Sequence, residues 1–421
     1  MIVAGEASGD KHGAALALSL KQLYPDIEFE MFGAGGDEMR AAGVETLVDA
    51  REVAIIGIPE IARAIGKLYR AYRRLLDAAR QRRPQAVVLI DWPDFNMRLA
   101  RRLRRDGFKI IYYISPQVWA WRRYRVRALR RDVDRMLVIL PFEEEFYRNA
   151  GIEVEYVGHP LAEAVRATNS REEFAEKYGL DCSRPMIALL PGSRQKEIHY
   201  HLPEMLDAAR RLRNIRLRIA DCGLRVKETA PVPNTSKVQP RIFDPQSAPP
   251  ASGYPDPQWV LPLASTISRE QVEAMINQSG AKGEIEIKVT ERDTYNALCH
   301  AEFAIVASGT ATVEAALADT PMVIIYRGSA LNWRLIRPLI RLDTFGMVNL
   351  IAGRRIVPEL MQEDATGERI AREVEALVSD PARLDEMRRG LAEVRERLKA
   401  GSGQGARGAA RAVMRTACAA D

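Results

Sequence analysis

The chain has no apolar run near the roughly 18–20 residues that span a bilayer, no signal-peptide pattern, and four cysteines in 421 residues. Cys182, Cys222, Cys299 and Cys418 are scattered, without metal-ligand spacing. These absences argue against a membrane-spanning or metal-clamped protein and for a reduced, cytoplasmic one. The glycine clusters Gly5–Asp10 and Gly33–Gly36 do not match G-x-G-x-x-G, and Pro191–Glu197 lacks the P-loop spacing, so neither dinucleotide nor P-loop chemistry is expected.

Hydrophobic residues make up 47% of the chain, enough for a large core divided over two domains. The net charge of +6 conceals an asymmetry, because residues 61–135 hold 21 Lys/Arg against 6 Asp/Glu. Such a block points to an anionic partner: a membrane surface, a nucleic acid or a phosphorylated substrate. Ile61, Ile65, Leu68, Tyr72, Leu75 and Leu76 fall on one helix face, with Arg63, Lys67, Arg70, Arg73 and Arg74 around it. That pattern suits a helix lying on an anionic membrane, and equally a surface helix with its stripe on a sheet.

Strand and helix signals alternate through the first half, as in a doubly wound parallel sheet. Ile2–Ala4 reads as a strand, then a helix to about Leu23, then a strand at Glu28–Phe32. Ala86–Ile90 is a buried strand running into Asp91, a carboxylate with little packing reason to exist. In open α/β sheets, residues just past strand carboxyl ends line the ligand crevice. Asp94 is placed to cap a helix from Phe95 to about Arg105. Lys109–Ile114 is a second strand, ending in Ser115-Pro116-Gln117-Val118-Trp119-Ala120-Trp121-Arg122, whose tryptophans suggest a pocket wall. Asp132-Val133-Asp134 has the form of a metal-holding Asp-x-Asp but reads as a solvated connection.

Met186–Leu190 opens a second domain and leads into Pro191-Gly192-Ser193-Arg194. Strand, glycine turn and helix start is how a backbone nest meets phosphate, and Arg194 adds a guanidinium fork. A similar turn, Ser308-Gly309-Thr310, follows Ala304–Ala307. Glu314 beyond it suits the helix dipole and can also accept hydrogen bonds from a ribose, two compatible readings. Residues 222–257 hold 8 of the 23 prolines and read as a mobile surface loop. The tail from Gly401 is Gly/Ala/Arg-rich, with a helix expected over 409–419.

The segments VAGEASGD, IDWPDFN, YYISPQVWAWR, LPFEEEFY, VGHPL, LLPGSRQKEI, ASGTATVEA and NLIAGRRIVPELMQ, in that order over nearly the whole chain, closely resemble the lipid-A-disaccharide synthase family. The resemblance implies an α/β GT-B fold, two Rossmann-like doubly wound domains facing across a cleft. Residues 1–165 would form the acceptor- and lipid-binding domain. Residues 166–385 would bind the UDP-sugar and carry a proline-rich insert near 214–257, and 386–421 would supply a C-terminal helix and tail.

The implied reaction joins UDP-2,3-diacylglucosamine to 2,3-diacylglucosamine 1-phosphate (lipid X) with inversion, giving the β-1,6 disaccharide and UDP. The implied location is the cytoplasmic face of the inner membrane of a Gram-negative bacterium, held peripherally. Neither cofactor nor metal is required, no nucleic acid is a partner, and family habit suggests a homodimer. Asp91 would be the base, assisted by Glu6, and Arg194 would stabilise the departing UDP. Gly192, Ser193, Ser308, Gly309, Thr310, Glu314 and Asn349 would bind the UDP-sugar. Gly5, Ser8, Asp94, Asn96, Trp119, Trp121 and Arg122 would lie on the acceptor side, and Leu331–Ile336 would be a second membrane contact. The chain departs from the family's pattern at a clipped first strand, at residues 214–255, and at Val348, where proline often precedes the asparagine. The competing readings are another GT-B enzyme, a UDP-sugar epimerase or a transferase with a soluble acceptor, and a non-catalytic binding protein using the arginine block.

Overall fold

The computed structural model describes every residue except 51–60, 121, 216–255, 265, 281–282, 330–332, 335–336, 338–343, 401–404 and 419–421, with backbone alone at 7 and 61–65. Trp121, nearly all of the proline-rich insert and most of Leu331–Ile336 therefore fall outside the described residues.

The chain divides into two compact units, one of Met1–Ala164 with Glu393–Asp421, the other of Val165–Arg334 with Thr344–Ala392. The first is built on seven parallel strands: β1 (Ile2–Ala4), β2 (Phe32–Gly35), β3 (Glu45–Asp49), β4 (Val87–Ile90), β5 (Ile110–Tyr113), β6 (Arg135–Val138) and β7 (Val154–Tyr156). Their order across the sheet is β3-β2-β1-β4-β5-β6-β7. Both faces are covered by helices, which is why the central strands are continuous apolar runs rather than alternating ones. Val3, Val87, Leu89, Ile110 and Tyr112 point into one core with the helices Ile61–Arg82 and Pro93–Arg105. Ile2, Ala4, Val88, Ile90, Ile111 and Tyr113 point into the other, as the two-residue strand period requires. The second core is closed by Ala7–Leu23 and by the C-terminal helix Ala406–Cys418, through Ala409, Ala410, Ala412 and Val413.

Two sequence expectations shift here. The strand placed at Glu28–Phe32 is β2, Phe32–Gly35, further along the chain. Glu28 and Glu30 are both exposed, and a strand buried on both faces has no room for them. Asp10, buried, explains the glycine cluster instead: its carboxylate accepts the N–H groups of Gly36 (2.6 Å), Glu38 (3.1 Å) and Met39 (3.1 Å) and so holds the helix start at Asp37. The basic helix Ile61–Arg82 buries Ala71, Leu75, Leu76 and Ala79 and packs Leu68 and Tyr72 on the same core. From Leu68 onward its apolar stripe faces the sheet.

The second unit carries six parallel strands: β8 (Met186–Leu190), β9 (Gln258–Leu263), β10 (Ile287–Glu291), β11 (Phe303–Ala307), β12 (Met322–Tyr326) and β13 (Glu359–Met361). Their order is β10-β9-β8-β11-β12-β13. In both sheets the first strand is flanked on either side and the order reverses there, between β1 and β4 and between β8 and β11. Those reversals open the crevices in which doubly wound sheets bind ligands.

Candidate active site

At the first reversal, Ala4 of β1 is the register partner of Ile90 of β4. Both strands end at that level, so Glu6 and Asp91 emerge side by side. Asp91 (φ 45°) and Trp92 (φ 49°) are consecutive residues in the left-handed region, a strained turn for non-glycine residues of the kind that concentrates at functional sites. Three contacts hold it. The Asn96 side-chain amide donates to the carbonyls of Ile90 (3.2 Å) and Asp91 (2.8 Å), and the Tyr112 hydroxyl donates to the Asp91 carbonyl (2.7 Å). The Trp92 indole stacks on Phe95 at 3.9 Å and lies against Gly5, where an added Cβ would come within 2.1 Å of the ring. No residue but glycine fits there.

Burial pushes the Asp91 carboxyl up to about 6; the nearby Glu6 charge adds to the rise and the Trp92 N–H opposes it. A carboxylate in that range is ionised at neutral pH yet basic enough to accept a proton, the balance a general base needs. Ser8 and Glu6 are exposed beside it.

Asp94 is not a helix cap. The cap position of Pro93–Arg105 is Trp92, without a side-chain bond, because Asp94 turns away to pair with Arg125 and, at 3.5 Å, Arg122. Trp119 is not an open pocket wall either. It is 5% exposed, with its indole N–H donating to Glu143 at 2.9 Å. Asn96 is fully buried and spends both donors on the Asp91 turn, so it supports the site from beneath. Asp132 is buried against Arg131, and Asp134 accepts the Ile110 N–H (2.7 Å) and pairs with Arg104, so neither is merely solvated. Among the described residues no group of three or more His, Cys, Asp or Glu is placed to hold a metal ion.

At the second reversal, β8 leads into Pro191–Arg194 and β11 into Ser308–Thr310. Gly192 takes φ 120°, and a Cβ there would come within 2.4 Å of the Glu197 carboxylate. Glu197 accepts the N–H groups of Ser193 (2.8 Å) and Arg194 (3.2 Å) and the Arg194 guanidinium (3.0 Å). The backbone donors expected to meet a diphosphate are thus engaged by a carboxylate three and four residues on. The Arg194 side chain remains 79% exposed. His201, buried beneath the turn, donates Nδ1–H to the Pro191 carbonyl (2.8 Å), since a carbonyl can only accept. Its Nε2 accepts the Arg327 N–H (3.0 Å). Burial lowers its pKa, in keeping with that neutral tautomer.

Ser308 donates to the Phe345 carbonyl (3.2 Å); Gly309 precedes the helix Thr310–Leu317 with Thr310 exposed and Glu314 half-buried. Asn349 differs from expectation. It is 1% exposed, its amide donating to Val357 (2.8 Å) and Glu359 (2.7 Å) and its oxygen accepting the N–H groups of Ile356 (2.8 Å) and Val357 (3.0 Å). All four hydrogen-bonding positions of the amide are filled, so Asn349 is a strut for residues 356–359.

A family model for lipid-A-disaccharide synthetase matches residues 1–228 and 245–413. The lipid-A-disaccharide synthase of Koribacter versatilis is 41% identical over 99% of this chain and 98% of its own. That of Geobacter sulfurreducens is 43% identical over 95% and 93%. The chain belongs to the lipid-A-disaccharide synthase family. It is a glycosyltransferase, and its two parallel-sheet units have the GT-B fold. Solved structures agree on that fold: a UDP-N-acetylglucosamine 2-epimerase from Neisseria meningitidis, bound to UDP-GlcNAc (TM-score 0.58, 11% identity, 94% of this chain and 96% of that one), and a glycosyltransferase from Rickettsia africae (TM-score 0.53, 10% identity, 98% and 96%).

Within this synthase-family chain, sequence reasoning missed Tyr112, Glu143, Glu197, His201 and Glu359. Glu143 and Glu197 carried a signal, a Glu at the third position of a helix opened by a turn. Tyr112, His201 and Glu359 carried none, because their partners lie far away in sequence.

Proposed function

We propose that the chain condenses UDP-2,3-diacylglucosamine with 2,3-diacylglucosamine 1-phosphate, giving the β-1,6-linked disaccharide 1-phosphate and UDP. The observation that carries the reading is the Glu6–Asp91 pair at the sheet reversal, in a chain of this family. Asp91 accepts the proton of the acceptor 6-hydroxyl as its oxygen attacks C1 of the donor sugar. The C1–oxygen bond to UDP breaks, UDP leaves with the electron pair, and a single displacement inverts the α-linked donor to a β product. Glu6 orients the acceptor and keeps the Asp91 carboxyl basic. Gly5, Ser8, Asp94 and Arg122 act on the acceptor side, where the arginine suits the 1-phosphate.

On the donor side, Arg194 meets the diphosphate charge that grows as UDP departs. Gly192 and Ser193 shape its turn, Ser308, Gly309 and Thr310 present a helix start, and Glu314 accepts the ribose hydroxyls. No described helix is long and apolar enough to cross a membrane. Contact with an anionic inner-membrane surface, from the cytoplasmic side, rests on the exposed cations of Ile61–Arg82 and the following helices.

The test is UDP release from the diacylated donor in mixed micelles, with and without the acylated acceptor phosphate, with the product's linkage read by NMR. Acceptor-dependent release and a β-1,6 product are expected. UDP release or sugar epimerisation that ignores the acceptor would favour the epimerase reading and overturn this one.

A further inference from the structure

One fully enclosed carboxylate of the first unit has no part in the chemistry above. Glu143, 2% exposed, accepts the Ser115 hydroxyl (2.5 Å), the Trp119 indole N–H (2.9 Å) and the Leu140 N–H (3.2 Å). A glutamate three residues into a helix, bonded back to the cap residue, is common and ordinarily solvated. Here two of the three donors come from another segment, the loop leaving β5. Burying a charge is costly unless it is fully hydrogen-bonded, so the arrangement needs a reason beyond capping.

The loop supplies one. It leaves the sheet at Ile114, itself in the left-handed region (φ 63°), and Tyr113 before it pairs with Ile90. Ser115 therefore starts out next to the strand end that carries Asp91. The helix Pro141–Asn149 grips this loop at three points: Glu143 at Ser115 and Trp119, the Tyr147 hydroxyl at the Pro116 carbonyl (3.1 Å), and Phe142 edge-on to Trp119 at 4.9 Å. Beyond Trp119 the loop carries Arg122 and Arg125 to Asp94.

We infer that Glu143 is a positioning residue for the acceptor: it fixes the loop at Ser115–Trp119 and, through it, Arg122 and Arg125 beside Asp94, and thereby the groups that hold the acceptor beside Asp91. The inference rests on the proposed reaction. All three bonds run into the carboxylate, so it acts ionised, and protonation converts one acceptor position into a donor facing donors. Burial pushes its carboxyl up to about 7, against the pull of Ser115, Trp119 and the N–H groups of Leu140 and Ile139. Tyr147 and Tyr156 are the titratable groups that feel its charge, and both are driven to the neutral form. A raised carboxyl is ionised above about 7 and protonated below it, so the grip loosens as pH falls.

The experiment compares wild type, Glu143→Gln and Trp119→Phe by steady-state kinetics in mixed micelles from pH 5.5 to 8.5, varying donor and acceptor separately, with melting curves at pH 8. For Glu143→Gln the acceptor KM should rise about tenfold at pH 8 with kcat and donor KM within about threefold, a loss of positioning rather than of chemistry. Wild-type acceptor KM should climb as pH falls through about 7, and that climb should vanish in Glu143→Gln but persist in Trp119→Phe. Should Glu143→Gln not fold, Trp119→Phe decides by its own rise in acceptor KM at unchanged donor KM. A wild-type acceptor KM in the folded variants, or a wild-type pH dependence in Glu143→Gln, overturns the inference, as does a parallel loss of kcat, both KM values and melting temperature. Wild type that releases no UDP with acceptor present would overturn the reaction as well, a separate and recognisable result.

Discussion

Glu6 and Asp91 leave the sheet from neighbouring strands, two residues past Ala4 and one past its register partner Ile90, and the Glu6 charge helps hold the Asp91 carboxyl up near 6. A proton taken up by Asp91 therefore relieves repulsion as well as burial. The site stores its reactivity in a carboxylate that the fold would rather see neutral.

That storage predicts a trade of stability for function. The folded-state pKa of Asp91 is raised from 3.8 to about 6, so its ionisation costs nothing below pH 4, destabilises the fold progressively as pH rises from about 4 to about 6, and imposes a constant cost above that. Asp91→Asn, which tolerates the left-handed backbone, should be more stable than wild type at pH 8 by about 1–3 kcal/mol and equal to it near pH 4. Melting curves at the two pH values check this. A less stable variant at pH 8 would mean that the ionised carboxylate is held by contacts stronger than its burial.

Arg194 should be irreplaceable by another cation. Its guanidinium is free of the core yet anchored at one edge by Glu197, leaving further donors for a diphosphate. Arg194→Ala is expected to lower kcat/KM for the donor by about 10²–10³, and Arg194→Lys to recover less than about a tenth of that loss. Titration with UDP alone locates the effect: both variants should bind UDP more weakly than wild type.

Asn349 should behave as a strut and not as a ligand. Removing it orphans the buried N–H of Val357 and the half-buried N–H of Ile356 and takes one donor from Glu359. Asn349→Ala should cost about 2–4 kcal/mol in urea unfolding, while UDP affinity of the folded variant changes by less than about threefold. A large loss of affinity without a loss of stability would restore the direct-contact role.

The central strands and both glycine turns were legible because a parallel sheet covered on both faces demands unbroken apolar runs, and Val87–Ile90 and Met186–Leu190 supply them. Asp91 stood out for the same reason, as a charge ending such a run. The strand expected at Glu28–Phe32 lies further along, at Phe32–Gly35, because β2 is buried on both faces and has no exposed side for Glu28 and Glu30. The inward turn of Trp119 and the filled amide of Asn349 were not legible. Each depends on a partner, Glu143 or the Ile356–Glu359 segment, whose approach is set by tertiary folding rather than by local pattern. Asp94 was misassigned because a local cap competes with two arginines 28 and 31 residues onward, and the arginines win.

The most direct test of the account is kcat across pH 5–8.5 in wild type and Asp91→Asn, with donor and acceptor both saturating. Wild type should show an acid limb near pH 6 that belongs to the Asp91 carboxyl, with Asp91→Asn lower by about 10²–10⁴ at pH 8 and without that limb. An Asp91→Asn enzyme that keeps more than about a tenth of wild-type activity at pH 8, or the same limb, would contradict Asp91 as the base.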